Sequence, residues 1–257
     1  MLHHREEGPP DGPVALMLHG YPQSSYMWRY ALPAVAARGW RGVAPDLAGF
    51  GDSPPDPPGT WERQVEAVEG FRQELGLDRV ALVVHDWGGL VGLRWACDHP
   101  DAVSALVISD TGFFSDGKWH GMAKALRTEG EGEELLGNFD RDAFAQVVQS
   151  SSSGIDDAAV DEYFKCFGDE TRRRGQLELY RSGDFSKLES YEGCLAKLDV
   201  PALLLWGADD PFAPLAGARR LERELPQSRL VVMEGTGHFV WDDAGERAAG
   251  ELAEWLA

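Results

Sequence analysis

The sequence predicts an α/β protein with a doubly wound, mostly parallel sheet interrupted by an all-helical insertion. Three observations carry this reading: apolar runs of strand length recur, helical patterns lie between them, and one long interval has no strand signal. Val14–Leu18, Arg41–Ala44, Val80–Val84, Ala105–Ser109, Ala202–Leu205 and Leu230–Met233 are nearly continuous in apolar residues, as strands covered on both faces are. Tyr26–Ala37, Trp61–Leu75, Leu90–Asp98, Leu215–Leu225 and Asp243–Leu256 carry helical patterns. Such alternation implies right-handed crossovers and a parallel sheet. From Thr111 to Leu198 the composition turns polar and helical. The simplest account is a core of residues 1–110 and 199–257 with a helical cap at 111–198, over the sheet edge where open α/β sheets bind ligands. Within it, Ser150–Ser153 and Gly154 read as a flexible joint and Arg172–Arg174 as a solvated helix face. No internal repeat is present.

Composition narrows the function. The chain has 257 residues, 43% of them apolar and 26% charged, which suits an ordinary globular domain. Forty-three acidic against 24 basic residues give a net charge of −19, which repels phosphate backbones and anionic membrane surfaces. Nucleic acid and membrane are therefore not expected partners. Cys97, Cys166 and Cys194 are odd in number and widely spaced, so neither a disulfide nor a thiolate metal site is expected, and a reducing cytoplasm fits. No run approaches the roughly 18 apolar residues of a membrane span, and Met1–Pro13 has no signal-peptide core. His3–His4 alone makes a poor metal site.

The chemistry concentrates in Val80–Leu90, where an apolar run ends at His85-Asp86-Trp87-Gly88-Gly89 and passes into a helix. Small residues there allow a strained strand-to-helix elbow that lifts Asp86 above the sheet. Read locally, Asp86 is equally an N-cap for the helix. Three further strand ends change the balance. Val14–Leu18 leads into His19-Gly20-Tyr21-Pro22, a turn whose N–H groups suit developing negative charge. Ala202–Leu205 leads into Trp206-Gly207-Ala208-Asp209-Asp210, which offers a carboxylate, and Leu230–Met233 into Gly235-Thr236-Gly237-His238, which offers an imidazole. Asp86, Asp210 and His238 follow one another in a nucleophile–acid–base order. Gly49-Phe50-Gly51 lacks the rest of a dinucleotide fingerprint, and no cofactor is implied.

These residues, with Pro45–Ser53, resemble the α/β-hydrolase fold in its aspartate-nucleophile branch, which contains epoxide hydrolases and haloalkane dehalogenases. The resemblance spans essentially the whole chain, although only about a dozen residues precede Val14, so the family's leading β-hairpin is expected to be shortened or absent. It implies that Asp86 displaces a leaving group from saturated carbon to form an alkyl-enzyme ester, and that His238, oriented by Asp210, activates the water that hydrolyses it. It implies an oxyanion hole from the N–H groups of Tyr21 and Trp87. The resemblance puts the acid three residues after Gly207, which selects Asp210 over Asp209, with Asp110, at a position from which some haloalkane dehalogenases supply their acid, as the alternative. His19 and His85 are expected to be structural.

The leaving group turns on the cap. Arg174–Arg181 resembles an epoxide-hydrolase cap segment, with Tyr180 as donor to a departing alkoxide, and His120 stands in for a second tyrosine. Trp119 with Trp87 equally suits a two-indole halide cradle. Epoxide opening is the first expectation, haloalkane dehalogenation the alternative, and a non-catalytic ligand-binding member of the fold a third. Phe113, Phe114, Trp119, Phe212 and Trp241 are expected to line an apolar pocket for a small substrate.

Overall fold

The computed structural model describes residues 1–257. Seven strands, β1 (His4–Glu7), β2 (Val14–Leu18), β3 (Arg41–Pro45), β4 (Val80–His85), β5 (Val103–Ser109), β6 (Ala202–Gly207) and β7 (Ser228–Met233), form one sheet in the order β1-β3-β2-β4-β5-β6-β7. β1 runs antiparallel to β3, and every other pairing is parallel. The carboxyl ends of β2 to β7 therefore share one edge of the sheet.

Helices α1 (Ala31–Ala36), α2 (Trp61–Glu74) and α3 (Trp87–Asp98) connect β2 through β5. The β2–α1–β3 crossover moves toward one end of the sheet and β4–α3–β5 toward the other. With right-handed crossovers, α1 and α3 must lie on opposite faces. Six helices fill the interval between β5 and β6: α4 (Gly121–Arg127), α5 (Glu131–Gly137), α6 (Arg141–Ser151), α7 (Asp157–Phe164), α8 (Glu170–Ser182) and α9 (Cys194–Lys197). The last three, α10 (Leu215–Glu224), α11 (Val240–Asp243) and α12 (Gly245–Trp255), complete the fold, with α12 packed on α1. The expected class, an α/β-hydrolase fold with a mostly parallel sheet, is the one found.

Differences from the sequence reading have physical causes. The central strands are buried, whereas β1 reads His-Arg-Glu-Glu at the sheet's edge and so carries no apolar signal. The helix expected over Tyr26–Ala37 breaks into a 3-10 turn at Ser25–Arg29 and α1, because Pro33 is tolerated only in a first turn. The Ser150–Gly154 joint is anchored: Asp243 accepts hydrogen bonds from the Ser152 hydroxyl (2.6 Å) and the Gly154 N–H (3.0 Å). Arg172–Arg174 is not one solvated face either. Arg172 donates to the Gly49 and Gly51 carbonyls and Arg173 to that of Phe167, leaving Arg174 exposed beside Glu178. The cysteine expectation is overturned as well. Cys97, at the end of α3, is disulfide-bonded to Cys194, at the start of α9, with Cα atoms 5.9 Å apart, and only Cys166 is free. Reasoning from spacing to a reducing compartment therefore loses its basis. No helix is long and apolar enough to cross a membrane.

Candidate active site

The strand order reverses direction between β2 and β4, and the crevice at such a switch point is where open α/β sheets place ligands. Here the turn after β2 meets the elbow after β4. Asp86 holds φ at +47°, outside the usual range for a non-glycine residue. The surrounding glycines make that geometry possible: a Cβ on Gly88 would lie 2.2 Å from the Leu18 carbonyl oxygen, and one on Gly20 would lie 2.6 Å from the Asp86 Cβ. The side chain of Asp86 does not cap α3. Its Oδ1 accepts a hydrogen bond from the Tyr21 N–H at 2.7 Å, and its Oδ2 lies 3.5 Å from His238 Nε2. Of the two expected oxyanion donors, only Tyr21 reaches the carboxylate; Trp87 N–H makes no bond to it.

His238 and Asp210 sit beyond the ends of β7 and β6 and are both buried. Asp210 Oδ2 accepts from His238 Nδ1 at 2.8 Å, while Oδ1 accepts from the N–H groups of Phe212 (2.7 Å) and Ala213 (3.0 Å). Burial pushes the Asp210 carboxyl up, but the neighbouring imidazole and these donors outweigh it and hold it below the ordinary range. At His238 burial alone favours the neutral ring; the Asp210 and Asp86 carboxylates outweigh it and hold its pKa well above the ordinary value. Asp86 is pushed up by burial yet ends at about 2, through His238 and the Tyr21 N–H. The resting arrangement is thus an ionised Asp86 facing a charged imidazole.

Asp110 makes no hydrogen bond with His238. It is wholly buried, with Oδ1 accepting from the Gly207 N–H at 2.9 Å. Asp209 is exposed and uninvolved. His19 is fixed between the Gly20 carbonyl and the Leu47 N–H, and His85 is buried with its ring centroid 5.0 Å from that of His238 and both nitrogens unpartnered; burial lowers its pKa to about 3.

The insert supplies the opposite wall. Tyr180, on α8, is buried edge-on against Trp87 (5.2 Å) and Tyr21 (5.0 Å). Burial first, then the Asp86 charge, raises its pKa well above the ordinary value, so its hydroxyl stays protonated. Trp119 stacks on Trp87 with centroids 5.6 Å apart, beneath the Arg127 guanidinium, which donates to the Tyr180 and Gly183 carbonyls. His120 caps α4 through Nδ1, which accepts from the Ala123 N–H, and its ring lies 4.7 Å from Phe212. Burial favours its neutral form, which places its proton on Nε2.

Asp86, His120, Tyr180, Phe212 and His238 together border two cavities. One, of about 80 Å³, is closed by Met122, Phe139, Phe144, Val148 and Phe167. The other, of about 270 Å³, takes in Trp87, Phe114, Trp119 and Phe185. Of the expected pocket residues, Phe113 and Trp241 line neither; Trp241 is buried, donating to the Ser109 hydroxyl. The phenylalanines at 139, 144, 167 and 185 were not foreseen, because an apolar residue on an amphipathic helix has the same pattern whether it lines a pocket or fills a core.

With this geometry in place, the relatives can be set beside it. The sequence matches the alpha/beta hydrolase fold family over residues 13–244. A haloalkane dehalogenase of Mycobacterium marinum is 30% identical over 272 residues, covering 99% of this chain and 88% of the relative. An ancestral haloalkane dehalogenase has a crystal structure with a TM-score of 0.84 at 29% identity, covering 99% of this chain and 94% of the other. The epoxide hydrolase VrEH1 of Vigna radiata gives a TM-score of 0.83 at 24% identity, covering 99% and 93%, a likeness of fold alone. The chain belongs to the α/β-hydrolase fold family, in the branch with aspartate at the nucleophile position. It is an enzyme, a hydrolase.

Proposed function

We propose that this hydrolase opens epoxides to diols through a covalent ester on Asp86, with residues 111–198 acting as a cap. The observation that carries the reading is Tyr180: a buried, protonated phenol from the insert that lines the same two cavities as the candidate nucleophile Asp86. An epoxide opens to an alkoxide, which needs a strong hydrogen-bond donor, whereas halide leaves without a proton.

In this reading Asp86 Oδ1 is tethered to the Tyr21 N–H, so Oδ2 attacks the ring carbon. As the C–O bond breaks, the alkoxide takes its proton from the Tyr180 hydroxyl, with the neutral His120 Nε2–H as a second hydrogen-bond donor, and the phenolate takes a proton from His238 once the ester has formed. Esterification removes the negative charge of Asp86, and with it part of what holds a proton on His238. Neutral His238 then takes a proton from water, whose oxygen attacks Cγ of Asp86; the oxyanion forms on Oδ1, where Tyr21 already donates. Asp210 orients the imidazole. Collapse breaks the ester C–O bond: the departing alkoxide takes a proton from His238, the acid left at Asp86 returns its proton to the imidazole, and the diol leaves with Asp86 ionised again.

Dehalogenation is the second reading, favoured by the stacked Trp87–Trp119 pair and by the dehalogenase relatives. The two readings assign opposite weight to two residues. Tyr180→Phe should slow alkylation by an epoxide about a hundredfold, the cost of one transition-state donor, while Trp119→Phe has a smaller effect. Rates of ester formation for both variants, on an epoxide and on a bromoalkane, decide the matter: an intact rate in Tyr180→Phe with collapse in Trp119→Phe establishes the dehalogenase.

A further inference from the structure

We propose that Asp110 is a positioning residue: it stands behind Asp210 as a neutral carboxylic acid whose Oδ2 hydroxyl donates to the Asp210 carboxylate and fixes the group on which His238 leans. The inference rests on the reading of Asp86, His238 and Asp210 as nucleophile, base and acid.

Four features of the structure lead to it. Asp110 follows β5 and Asp210 follows β6, neighbouring parallel strands, and Asp110 Oδ1 accepts the N–H of Gly207, three residues before Asp210, which sets the two carboxyls side by side. Asp110 is wholly buried, and no N–H or O–H reaches its Oδ2. Its φ of +43° is the same uncommon conformation as that of Asp86, so the backbone holds this carboxyl in place at a conformational cost. The donors are divided unequally: Asp210 accepts from two backbone N–H groups and His238, whereas Asp110 accepts only from the Gly207 N–H.

Two adjacent buried carboxyls do not both ionise. The better-solvated member keeps the charge, and by donor count that is Asp210. The proton then resides on Asp110, where it satisfies the otherwise unpartnered Oδ2. The titratable groups facing Asp110 are Asp210 and His238: burial and then Asp210 favour its protonated form, and His238 opposes them without prevailing. A neutral donor behind Asp210 spreads the negative charge of the carboxylate and keeps it from gripping the imidazolium proton too tightly.

Asp110→Asn retains both an acceptor for the Gly207 N–H and a donor for Asp210. Its ester hydrolysis should stay within about threefold of the parent, with an unmoved pH profile. Asp110→Ala removes the donor. Its ester hydrolysis should fall about ten- to a hundredfold, as for loss of a hydrogen bond to a charged group, with alkylation retained and the rising limb of the pH profile moved to higher pH. Infrared spectra of the resting protein should show a protonated-carboxyl band that Asp110→Asn abolishes. This readout needs neither substrate nor turnover, so it stands if Asp110→Ala does not fold or if no ester ever forms on Asp86. Three results overturn the proposal: Asp110→Asn as damaging as Asp210→Asn, an unaffected Asp110→Ala, or no band lost in Asp110→Asn.

Discussion

At the scale of single residues, the site is governed by charges that change during the proposed cycle. Asp86 remains ionised down to about pH 2, so alkylation should proceed well into acid. His238 has the opposite dependence. Its raised pKa keeps it protonated as pH falls, and a protonated imidazole takes no proton from water. Ester hydrolysis should therefore rise with pH while ester formation stays flat, so that a downward pH jump during turnover accumulates the alkyl-enzyme. His238→Gln should give the same species at every pH. Intact-mass measurement checks both, with an increment equal to the substrate localised to the peptide containing Asp86. Free product released by His238→Gln at the parent rate would remove His238 from the hydrolytic step. Asp86 itself was legible only in combination: its place between an apolar strand and a glycine-rich helix start left an N-cap equally open, and the turns bearing Tyr21, Asp210 and His238 at three other strand ends tipped the reading. Tyr21 as a wall of the pocket, edge-on to Tyr180, was not, because side-chain contacts between distant segments leave no trace in local pattern.

At the scale of elements, the elbow depends on backbone proximity that glycine alone permits. A methyl group on Gly88 would meet the Leu18 carbonyl at 2.2 Å, and the obstacle is main chain that cannot rotate away. Gly88→Ala should therefore cost at least about 1–3 kcal/mol and displace Asp86 from the Tyr21 N–H. Gly70→Ala provides the contrast. It lies exposed within α2 with nothing near its absent Cβ, and alanine there should stabilise by about 0.5–1 kcal/mol through helix propensity. Urea midpoints of the two variants should move in opposite directions; equal shifts would mean that the close approach at the elbow is relieved elsewhere. The contrast also explains what the sequence could reveal. β4, β5 and β6 announce themselves because both faces are covered and the runs are continuously apolar. β1 is polar and peripheral, and α3 begins three residues earlier than its pattern suggests because Gly88 and Gly89 read as a turn when they are the first turn of the helix. In the insert, Arg172 has the composition of a solvated helix and only the fold shows it reaching the loop after β3.

At the scale of the whole molecule, the insert is joined to the sheet by more than its two chain connections. The Cys97–Cys194 bond closes a loop of 97 residues in sequence separation that includes β5 and nearly all of the insert, and it ties α9 to the far end of α3, the helix that begins just after Asp86. Loop-closure entropy for a span of that size predicts a large destabilisation of the unfolded chain, and typical disulfides deliver about 2–4 kcal/mol. Cys97→Ser should lower the stability measured by urea unfolding by roughly that amount. Reductant should lower the parent to the level of the variant and leave the variant unchanged. Cys166 does not confuse the measurement, since burial pushes its thiol up and away from the reactive thiolate form. Thiol titration in denaturant supplies the independent check, with one reactive thiol before reduction and three after. Because the bond joins the insert to α3 and not to another part of itself, its loss should also loosen Tyr180 and Trp119 relative to Asp86. A fall in alkylation rate accompanying the loss of stability would show that the disulfide serves the site as well as the fold, while an unchanged rate would confine its role to the unfolded chain.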